Sequence, residues 1–323
     1  MGRYLVRRTL FLILVLWVVS VFTFAIFVLL PPGDPARRAA GKSATPESVE
    51  AARKALGLDK PWYVQYGRFA KGLVPWPGWF LNEDVYFSFG DYVSVKDEIY
   101  QRFPVTATLT VGGAVLWLAM GIPIGIVSAV KRRTVADRAA MAFALIGVSA
   151  PTFFLAYLFL WLFWYILGIA PPSGIPPDMG ILEAIFTGRF TLPWFTLAIT
   201  SAAFYARMVR GNMLEAMSED YIRTARAKGL SERRVTYKHG LRASLTPVVT
   251  MLGLDVGGLL GGAIITETVF NLKGVGQYAI RSIYTNDFPA TMGVTVLAAL
   301  FIVVSNLVVD VVYAYLDPRV RYT

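Results

Sequence analysis

The sequence has no cysteine and a single histidine, His239. Without cysteines, disulfides and thiol chemistry are excluded, and one histidine with no second His, Cys or carboxylate cluster beside it favours neither a metal site nor acid–base catalysis. The chain also lacks a GxxxxGKS or GxxxxGKT phosphate loop, so it has no recognisable ATP site of its own. These absences argue against an enzyme.

Charged side chains are scarce as well, at 16% of the residues, whereas hydrophobic residues make up 56%. This balance is typical of a protein that crosses a membrane several times. The net charge of +10 raises the question of a nucleic-acid partner. The basic residues, however, cluster directly beside apolar runs, where anionic lipid and membrane orientation explain them, so no nucleic acid is expected.

Apolar runs of about 20 residues, the length needed to cross about 30 Å of hydrocarbon, recur along the chain. Six spans are predicted: Thr9–Leu30, Val105–Val130, Ala139–Leu167, Leu192–Val209, Leu245–Thr266 and Ala290–Tyr313. The first run is longer than the apolar part of a signal peptide, and Pro31 and Pro32 follow it instead of a cleavage site, so we expect a retained anchor. The sequence therefore predicts an all-α, polytopic membrane protein.

Residues 31–104 are mixed in polarity and contain no span, so we expect a small lobe between the first and second spans. Thr45 as N-cap, Pro46 as first helical residue and Gly57 after the end predict one short helix there. An aromatic and proline-rich stretch over residues 60–80 suits a lobe at the membrane surface. The predicted organisation is an N-terminal span in 1–30, an extracytoplasmic lobe in 31–104, and a five-helix core in 105–323 with a cytoplasmic loop at 210–242.

The orientation follows from lysine and arginine in the short loops. If the N-terminus is cytoplasmic, most of these residues fall on the inner side, and the two short outer loops hold only Arg189, Lys273 and Arg281. Both termini are therefore predicted to be cytoplasmic, and the basic loop at 210–242 faces the cytoplasm.

The stretch DYIRTARAKGLSERR in this loop predicts a short helix followed by a turn. Ser218 is a suitable N-cap, and Glu219 and Asp220 complement the positive end of the helix dipole. Gly229 suits the left-handed position after the last turn, and a second helix is expected to begin after Ser231. The first helix would be roughly 15 Å long.

Two interpretations of this loop compete. A basic segment beside a membrane can simply bind anionic lipid. Yet a lipid-binding loop needs neither a glycine-terminated helix nor small residues such as Ala225 and Ala227 next to the apolar edge of Tyr221 and Ile222. These features favour a helix that is held in a groove of a partner protein.

Longer motifs carry a resemblance to a known family. ARAKG, followed by KHGLRASLTP, resembles the cytoplasmic coupling motif of ABC importer permeases, and more specifically those of the oligopeptide/dipeptide/nickel type. The similarity runs along the whole chain, through LLPPGDPA, LGLDKPWYVQYGRF, GGAIITETVFNLKGVGQ and NLVVDVVYAYLDPRVRY. The chain departs from the usual motifs at Gly240, Ala243 and Lys273.

The resemblance implies a type I ABC importer permease fold and a non-catalytic role in a prokaryotic plasma (inner) membrane. Such a permease pairs with a second permease, receives peptide from an extracytoplasmic binding protein, and couples to two cytoplasmic ATPases. The ATPases, not this chain, would bind ATP and Mg, so no cofactor is expected here. Nickel or another small cargo is the alternative within the family. The residues assigned to ATPase coupling are Asp220, Tyr221, Arg223, Thr224, Ala225, Arg226, Ala227, Lys228 and Gly229.

Asp255 lies about ten residues into the predicted fifth span, at a depth of roughly 15 Å. A carboxylate at such a depth usually faces a bundle interior or a wet cavity. Two interpretations remain open: it lines the translocation path and attracts a cationic amine, or it pairs with a polar group of the second permease.

Other charged residues invite weaker functional interpretations. Glu267, at the end of the fifth span, is a candidate gate residue, although a structural hydrogen bond is favoured for it and for Asp310 near the inner end of the sixth. Asp137, beside Arg138, is interpreted as a helix cap. No metal-binding group is predicted.

Glycines in VGGLLGGA, at positions 257, 258, 261 and 262, predict close packing of the fifth span against a neighbouring helix. Two other classes of function are weaker. A secondary transporter should show internal repeats and matched midplane charges, and a membrane enzyme should show a catalytic cluster, and the sequence shows neither.

Overall fold

The computed structural model describes residues 2–30, 33–41, 44–74, 80–81, 85–88 and 93–316. Within these residues the chain is helical, and its extended backbone pairs only at an isolated antiparallel bridge between Phe87 and Ser94. The helices before the second span are α1 (Gly2–Phe24, continued as a π-helix over Ala25–Leu29), α2 (Pro35–Ala39), α3 (Pro46–Ala55) and α4 (Trp62–Lys71).

The remaining helices begin with α5 (Val95–Val130), α6 (Val135–Ser149), α7 (Thr152–Phe159, continued as a π-helix over Leu160–Ile166), α8 (Ile181–Phe186), α9 (Thr191–Ala216) and α10 (Asp220–Ala227). After them come α11 (Glu232–Arg234, followed by a π-helix over Val235–Gly240), α12 (Leu241–Ser244), α13 (Thr246–Leu260), α14 (Ile264–Val269), α15 (Val275–Tyr284) and α16 (Phe288–Leu316).

The number of spans differs from the prediction. Three described helices are long and apolar enough to cross a membrane, within Val6–Leu29, Val95–Val130 and Phe288–Val312, and two bent helix pairs raise the number to at most five. The predicted fourth span corresponds to α9, whose 26 residues extend about 39 Å at about 1.5 Å per residue. That length suffices for a crossing, but α9 is too polar to count by composition.

The third span is not the continuous helix that was predicted over Ala139–Leu167. The chain bends by 101° between Val135–Ser149 and Thr152–Ile166. Pro151 explains the break, because proline has no backbone N–H and forces the preceding residue out of helical conformation. Ala150 is accordingly extended, with φ −79° and ψ 122°.

The fifth span is also shorter than the predicted Leu245–Thr266. It ends at Leu260, and Gly262 then adopts a φ of +129°. A Cβ at Gly262 would lie 2.5 Å from the Cα of Gly276, so only glycine fits this turn. As a result Glu267 lies on the separate short helix α14, not at the end of the span.

Close packing through the glycines of this span is confirmed, and the neighbour is α16 of the same chain. A Cβ added to Gly257 would lie 2.6 Å from the Cβ of Ser305, and one added to Gly261 would lie 2.6 Å from the Cβ of Ala298. Gly258 faces open space within this chain, so its packing against another helix stays a prediction. The backbones of α13 and α16 therefore pack directly against each other at these positions.

The segment between the first two spans packs on α1 and α16. Phe69, Leu81 and Tyr86 are buried together with Phe24 of α1 and Met292 of α16. The predicted short helix is confirmed as α3. Its N-cap Thr45 accepts a hydrogen bond from the Ser48 N–H at 3.2 Å, and Gly57 has a φ of +67°.

Candidate functional site

The predicted helix in the basic loop is α10, which is eight residues long, about 12 Å. Its N-cap position is occupied by Glu219 with no side-chain cap, so the prediction of Ser218 as N-cap is wrong. The Ser218 hydroxyl instead donates to the Glu215 carbonyl at 2.7 Å and thereby closes the end of α9.

The turn after α10 is as predicted. Gly229 has a φ of +73°, and its N–H donates to the Arg226 carbonyl at 2.9 Å. Nothing lies within 4 Å of a Cβ built at Gly229, so the demand for glycine comes from the backbone conformation alone. A second helix begins after Ser231, but it runs on through a π-helical stretch and meets α13 at a bend of 47°.

The two faces of α10 have different roles. Ile222 and Ala225 are buried against Val235, with Met217 and Leu230 packed around them. Ala225 therefore fixes the helix to the loop and does not present a small surface outward. The exposed face carries Asp220, Tyr221, Arg223, Thr224, Arg226, Ala227, Lys228 and Gly229.

Ion pairs hold the loop in shape. Arg226 donates to Glu232 from Nε at 2.7 Å and from Nη2 at 3.3 Å, so the pair bridges the glycine turn. Hydrogen bonding to Glu232 raises the pKa of Arg226. Partial burial and then the nearby Glu219 carboxylate raise the pKa of Tyr221. Arg223 pairs with Asp220 at 3.2 Å, so the exposed face of α10 carries both charge signs and a half-exposed tyrosine.

Asp255, on α13, has a partner within its own chain. The Tyr205 hydroxyl of α9 donates to its carboxylate at 2.7 Å, and the Tyr205 ring is fully buried beside Trp117 of α5. The carboxylate itself is partly exposed. No other hydrogen-bond donor to Asp255 occurs among the described residues. One of its oxygens is therefore open to a group from outside the chain.

Glu267, in contrast, is fully buried and accepts several hydrogen bonds. It accepts the backbone N–H of Ala263 at 3.1 Å, the Thr106 hydroxyl at 2.9 Å and the Gln277 N–H at 2.8 Å. This carboxylate joins α14 and α15 to α5. Its contacts fit the structural interpretation that the sequence favoured over a gate.

Asp310 also has a structural partner, because it forms an ion pair with Arg8 that joins α16 to α1. Within the described part of the chain, no group of three or more His, Cys, Asp or Glu side chains lies close enough together to hold a metal ion. The polar features of the site are therefore the exposed face of α10 and the carboxylates of α13 and α14.

Comparison with known proteins identifies the family of this chain. The family model "Binding-protein-dependent transport system inner membrane component" matches residues 121–322, and the N-terminal model of such membrane components matches residues 1–110. The chain belongs to this family. The resemblance to ABC importer permeases is thus confirmed, and the permease is a non-catalytic membrane subunit of a transport complex.

Curated relatives match the permease over its whole length. It is 37% identical over 342 residues to the dipeptide transport system permease protein DppB of Alkalihalophilus pseudofirmus, with both chains fully covered. It is 40% identical over 322 residues to the glutathione transport system permease protein GsiC of Escherichia coli K12, again with 100% of both chains covered.

Solved structures show the fold. An inward-facing MetNI methionine ABC transporter aligns with a TM-score of 0.54 at 20% identity, covering 69% of this permease and 97% of that chain. A second crystal form aligns with a TM-score of 0.56 over 68% and 96%. The predicted permease fold is therefore confirmed.

The sequence does not reveal the charged partner of Asp137 in the permease. Asp137 was interpreted as a cap beside Arg138, and it does follow the N-cap Thr134, but its charged partner is Arg210. The two residues are 73 positions apart, so no local pattern reveals the pair. The available signal was an acidic and a basic residue, each placed at the inner end of a predicted span.

Proposed function

We propose that this permease forms half of a peptide-importing pathway together with a second permease. In this proposal two cytoplasmic ATPases drive transport through α10, an extracytoplasmic binding protein supplies the peptide, and both termini are cytoplasmic. Full-length similarity to permeases named for dipeptide and glutathione transport supports a peptide cargo, since glutathione is itself a tripeptide.

The exposed face of α10 carries the docking proposal. Buried Ile222 and Ala225 anchor one face of α10 to the loop, so the opposite face is exposed in a fixed orientation. The Gly229 turn and the Arg226–Glu232 pair fix its angle to the following segment. A lipid surface requires neither a buried anchor nor a fixed turn, whereas a protein groove requires both. The residues proposed to contact the ATPase are Asp220, Tyr221, Arg223, Thr224, Arg226, Ala227, Lys228 and Gly229, with Ala225 supporting them from within.

Asp255 is proposed as the cation-attracting group of the pathway. Its Tyr205 partner satisfies one side of the carboxylate, while its partial exposure leaves the other side for cargo or for the second permease. A free peptide amine is a cation that such a carboxylate attracts. Glu267, whose oxygens are occupied, is proposed as a structural residue and not as the gate.

A backbone test distinguishes a shaped docking helix from a lipid-binding loop. Gly229→Val should insert normally but reduce co-purification of the ATPases and ATP-driven uptake, because a β-branched residue resists a φ of +73°. Co-purification in mild detergent and uptake of a labelled dipeptide into vesicles loaded with ATP measure the two effects.

Two controls accompany this variant. Gly229→Asn tolerates the left-handed conformation and should retain most coupling. Gly211→Val adds the same side chain at an exposed helical glycine that has no neighbour within 4 Å of its Cβ, so it should bind the ATPases normally. Normal uptake and ATPase binding by Gly229→Val would refute the docking role of this turn.

The cargo is tested by competition in the same vesicles. Unlabelled di- and tripeptides should reduce labelled dipeptide uptake, and nickel salts should not. ATP-dependent uptake of labelled nickel, with no ATP-dependent peptide uptake, would assign the permease to a metal importer. Recovery of the chain without any second permease or ATPase would reject the complex itself.

A further inference from the structure

A buried ion pair lies beneath the coupling loop. Asp137, in the first turn of α6, is 7% exposed at its side chain and accepts two hydrogen bonds from Arg210 of α9, from Nε at 2.8 Å and from Nη2 at 3.1 Å. The Ser128 hydroxyl donates a third bond at 2.5 Å, and the Arg133 N–H donates a fourth at 2.9 Å. A bidentate guanidinium pair fixes orientation as well as distance.

These four residues tie three helices together at one end. Ser128 lies in the last turn of α5, Arg133 lies in the connection to α6, and Asp137 opens α6. Arg210 lies in the last two turns of α9, and only residues 217–219 separate α9 from the coupling helix α10. A displacement of α10 therefore reaches Arg210 almost directly.

Further from the loop, the same three helices are packed without free space. A Cβ added to Gly125 of α5 would lie 2.7 Å from the Ala206 carbonyl oxygen of α9. One added to Gly147 of α6 would lie 2.6 Å from the Cβ of Ala203, also on α9. Because packed interfaces have discrete arrangements and do not slide continuously, α9 cannot shift alone while the ion pair holds.

The connection from α10 to α13 is packed near its start, since Val235 is buried with Ile222 and Ala225 and a Cβ at Gly240 would lie 2.8 Å from the Met217 sulfur, so its freedom lies in the bend before α13. It contains the Gly229 turn, a π-helix over Val235–Gly240 and the 47° bend before α13. Side-chain bonding between this segment and α9 includes the Asn212 amide donating to the Ser244 carbonyl at 3.3 Å, a neutral bond of ordinary strength. π-Helical stretches are rare and occur frequently at functional sites.

We infer that the Asp137–Arg210 pair transmits the motion of the coupling helix to the helices packed around it, and we call the pair the joint. It makes α5, α6 and α9 follow the coupling helix as one body, while α13 and its partner α16 move relative to that body. The inference rests on the proposed docking of the ATPases at α10. Asp137 and Arg210 act as positioning residues, since neither needs to touch cargo or ATPase.

A distance measurement tests the joint directly, and the absence of cysteine in the chain makes specific spin labelling straightforward. Labels at Glu219 and Leu145 report α10 against α6, and labels at Glu219 and Leu254 report α10 against α13. All three positions are exposed in this chain. In the purified complex, trapping with a non-hydrolysable ATP analogue should change the second distance and leave the first unchanged. An equal change in both distances would overturn the inference.

Charge variants provide the functional test. Asp137→Asn keeps the shape, but its single acceptor oxygen can keep only one of the Ser128 and Arg133 bonds, and it loses the charge that orients Arg210. We expect normal assembly, ATP hydrolysis within about twofold of wild type, and about fivefold or greater loss of transport per ATP hydrolysed. The Glu219–Leu145 distance should also broaden. Arg210→Lys should show the same loss, because lysine lacks the bidentate geometry.

A matched control separates this effect from the loss of any ion pair. Asp310→Asn breaks the pair with Arg8, which joins α16 to α1 and includes no residue of α5, α6, α9 or α10, so it should leave transport per ATP unchanged. Unchanged transport per ATP in Asp137→Asn refutes the joint while the proposed function stands. Failure of wild-type α10 to engage any ATPase would refute the proposed function itself.

Discussion

Two acidic residues follow the basic loop at 210–242, Asp255 on α13 and Glu267 on α14, and their surroundings differ. Glu267 is fully buried and accepts hydrogen bonds from Ala263, Thr106 and Gln277. Asp255 is partly exposed and accepts one, from Tyr205. Acidic residues are rare in apolar sequence, but the presence of one is therefore not sufficient evidence of a transport path.

The two carboxylates differ in how many further hydrogen bonds each of them can accept. A carboxylate accepts about four hydrogen bonds, so Glu267 is close to saturation and Asp255 is not. A carboxylate close to saturation stabilises the fold, because contact with cargo would break hydrogen bonds that already exist. An unsaturated, partly exposed group is able to bind a cation without such a loss. The comparison predicts that substitutions at Glu267 affect folding and that substitutions at Asp255 affect transport.

The largest effect is expected for Glu267→Ala. The buried Ala263 N–H and Thr106 hydroxyl and the partly buried Gln277 N–H would lose their acceptor. Each buried donor left unpaired costs about 1–3 kcal/mol, so the folded permease should be strongly destabilised. Thermal unfolding in detergent, followed by the yield of monodisperse protein, measures this. Glu267→Gln, which keeps one acceptor oxygen, should be milder. Thr106→Val should also be milder, although it removes both a donor to Glu267 and the hydroxyl that accepts the Val275 N–H at 2.8 Å. A stable Glu267→Ala permease with altered cargo selection would reverse the assignment.

A smaller and different effect is expected for Asp255→Asn. The variant should fold and assemble as wild type, because asparagine keeps an oxygen for Tyr205. Uptake of dipeptides with a free amine should fall about fivefold or more, whereas uptake of N-acetylated dipeptides should change little, since only the attraction for a cation is lost. The matched control is Asp310→Asn. Equal uptake of both peptide classes by Asp255→Asn would remove this residue from the pathway.

The sequence favoured a structural role for Glu267 and left the role of Asp255 open, but it did not identify the partners of either carboxylate. Hydropathy located the long apolar helices, including the end of α5 at Val130, and local chemistry located the Gly229 turn. The sequence did not reveal that Gly262 separates Glu267 from the span. Nor did it pair Tyr205 with Asp255, because partners on different helices depend on which faces meet, and periodicity alone does not specify that.

The smallest effect in this series is expected for Tyr205→Phe, which removes the hydroxyl donor and leaves the buried ring in place. Hydrogen bonds between membrane helices contribute about 0.6 kcal/mol on average and at most about 1.7, so unfolding should shift only slightly. The released Asp255 carboxylate gains freedom to rotate, so the preference for free-amine peptides should weaken without disappearing. Uptake ratios for the two peptide classes measure this weakening. If Tyr205→Phe instead destabilises the permease as strongly as Glu267→Ala, Asp255 belongs with the structural carboxylates and the difference between the two residues is one of degree.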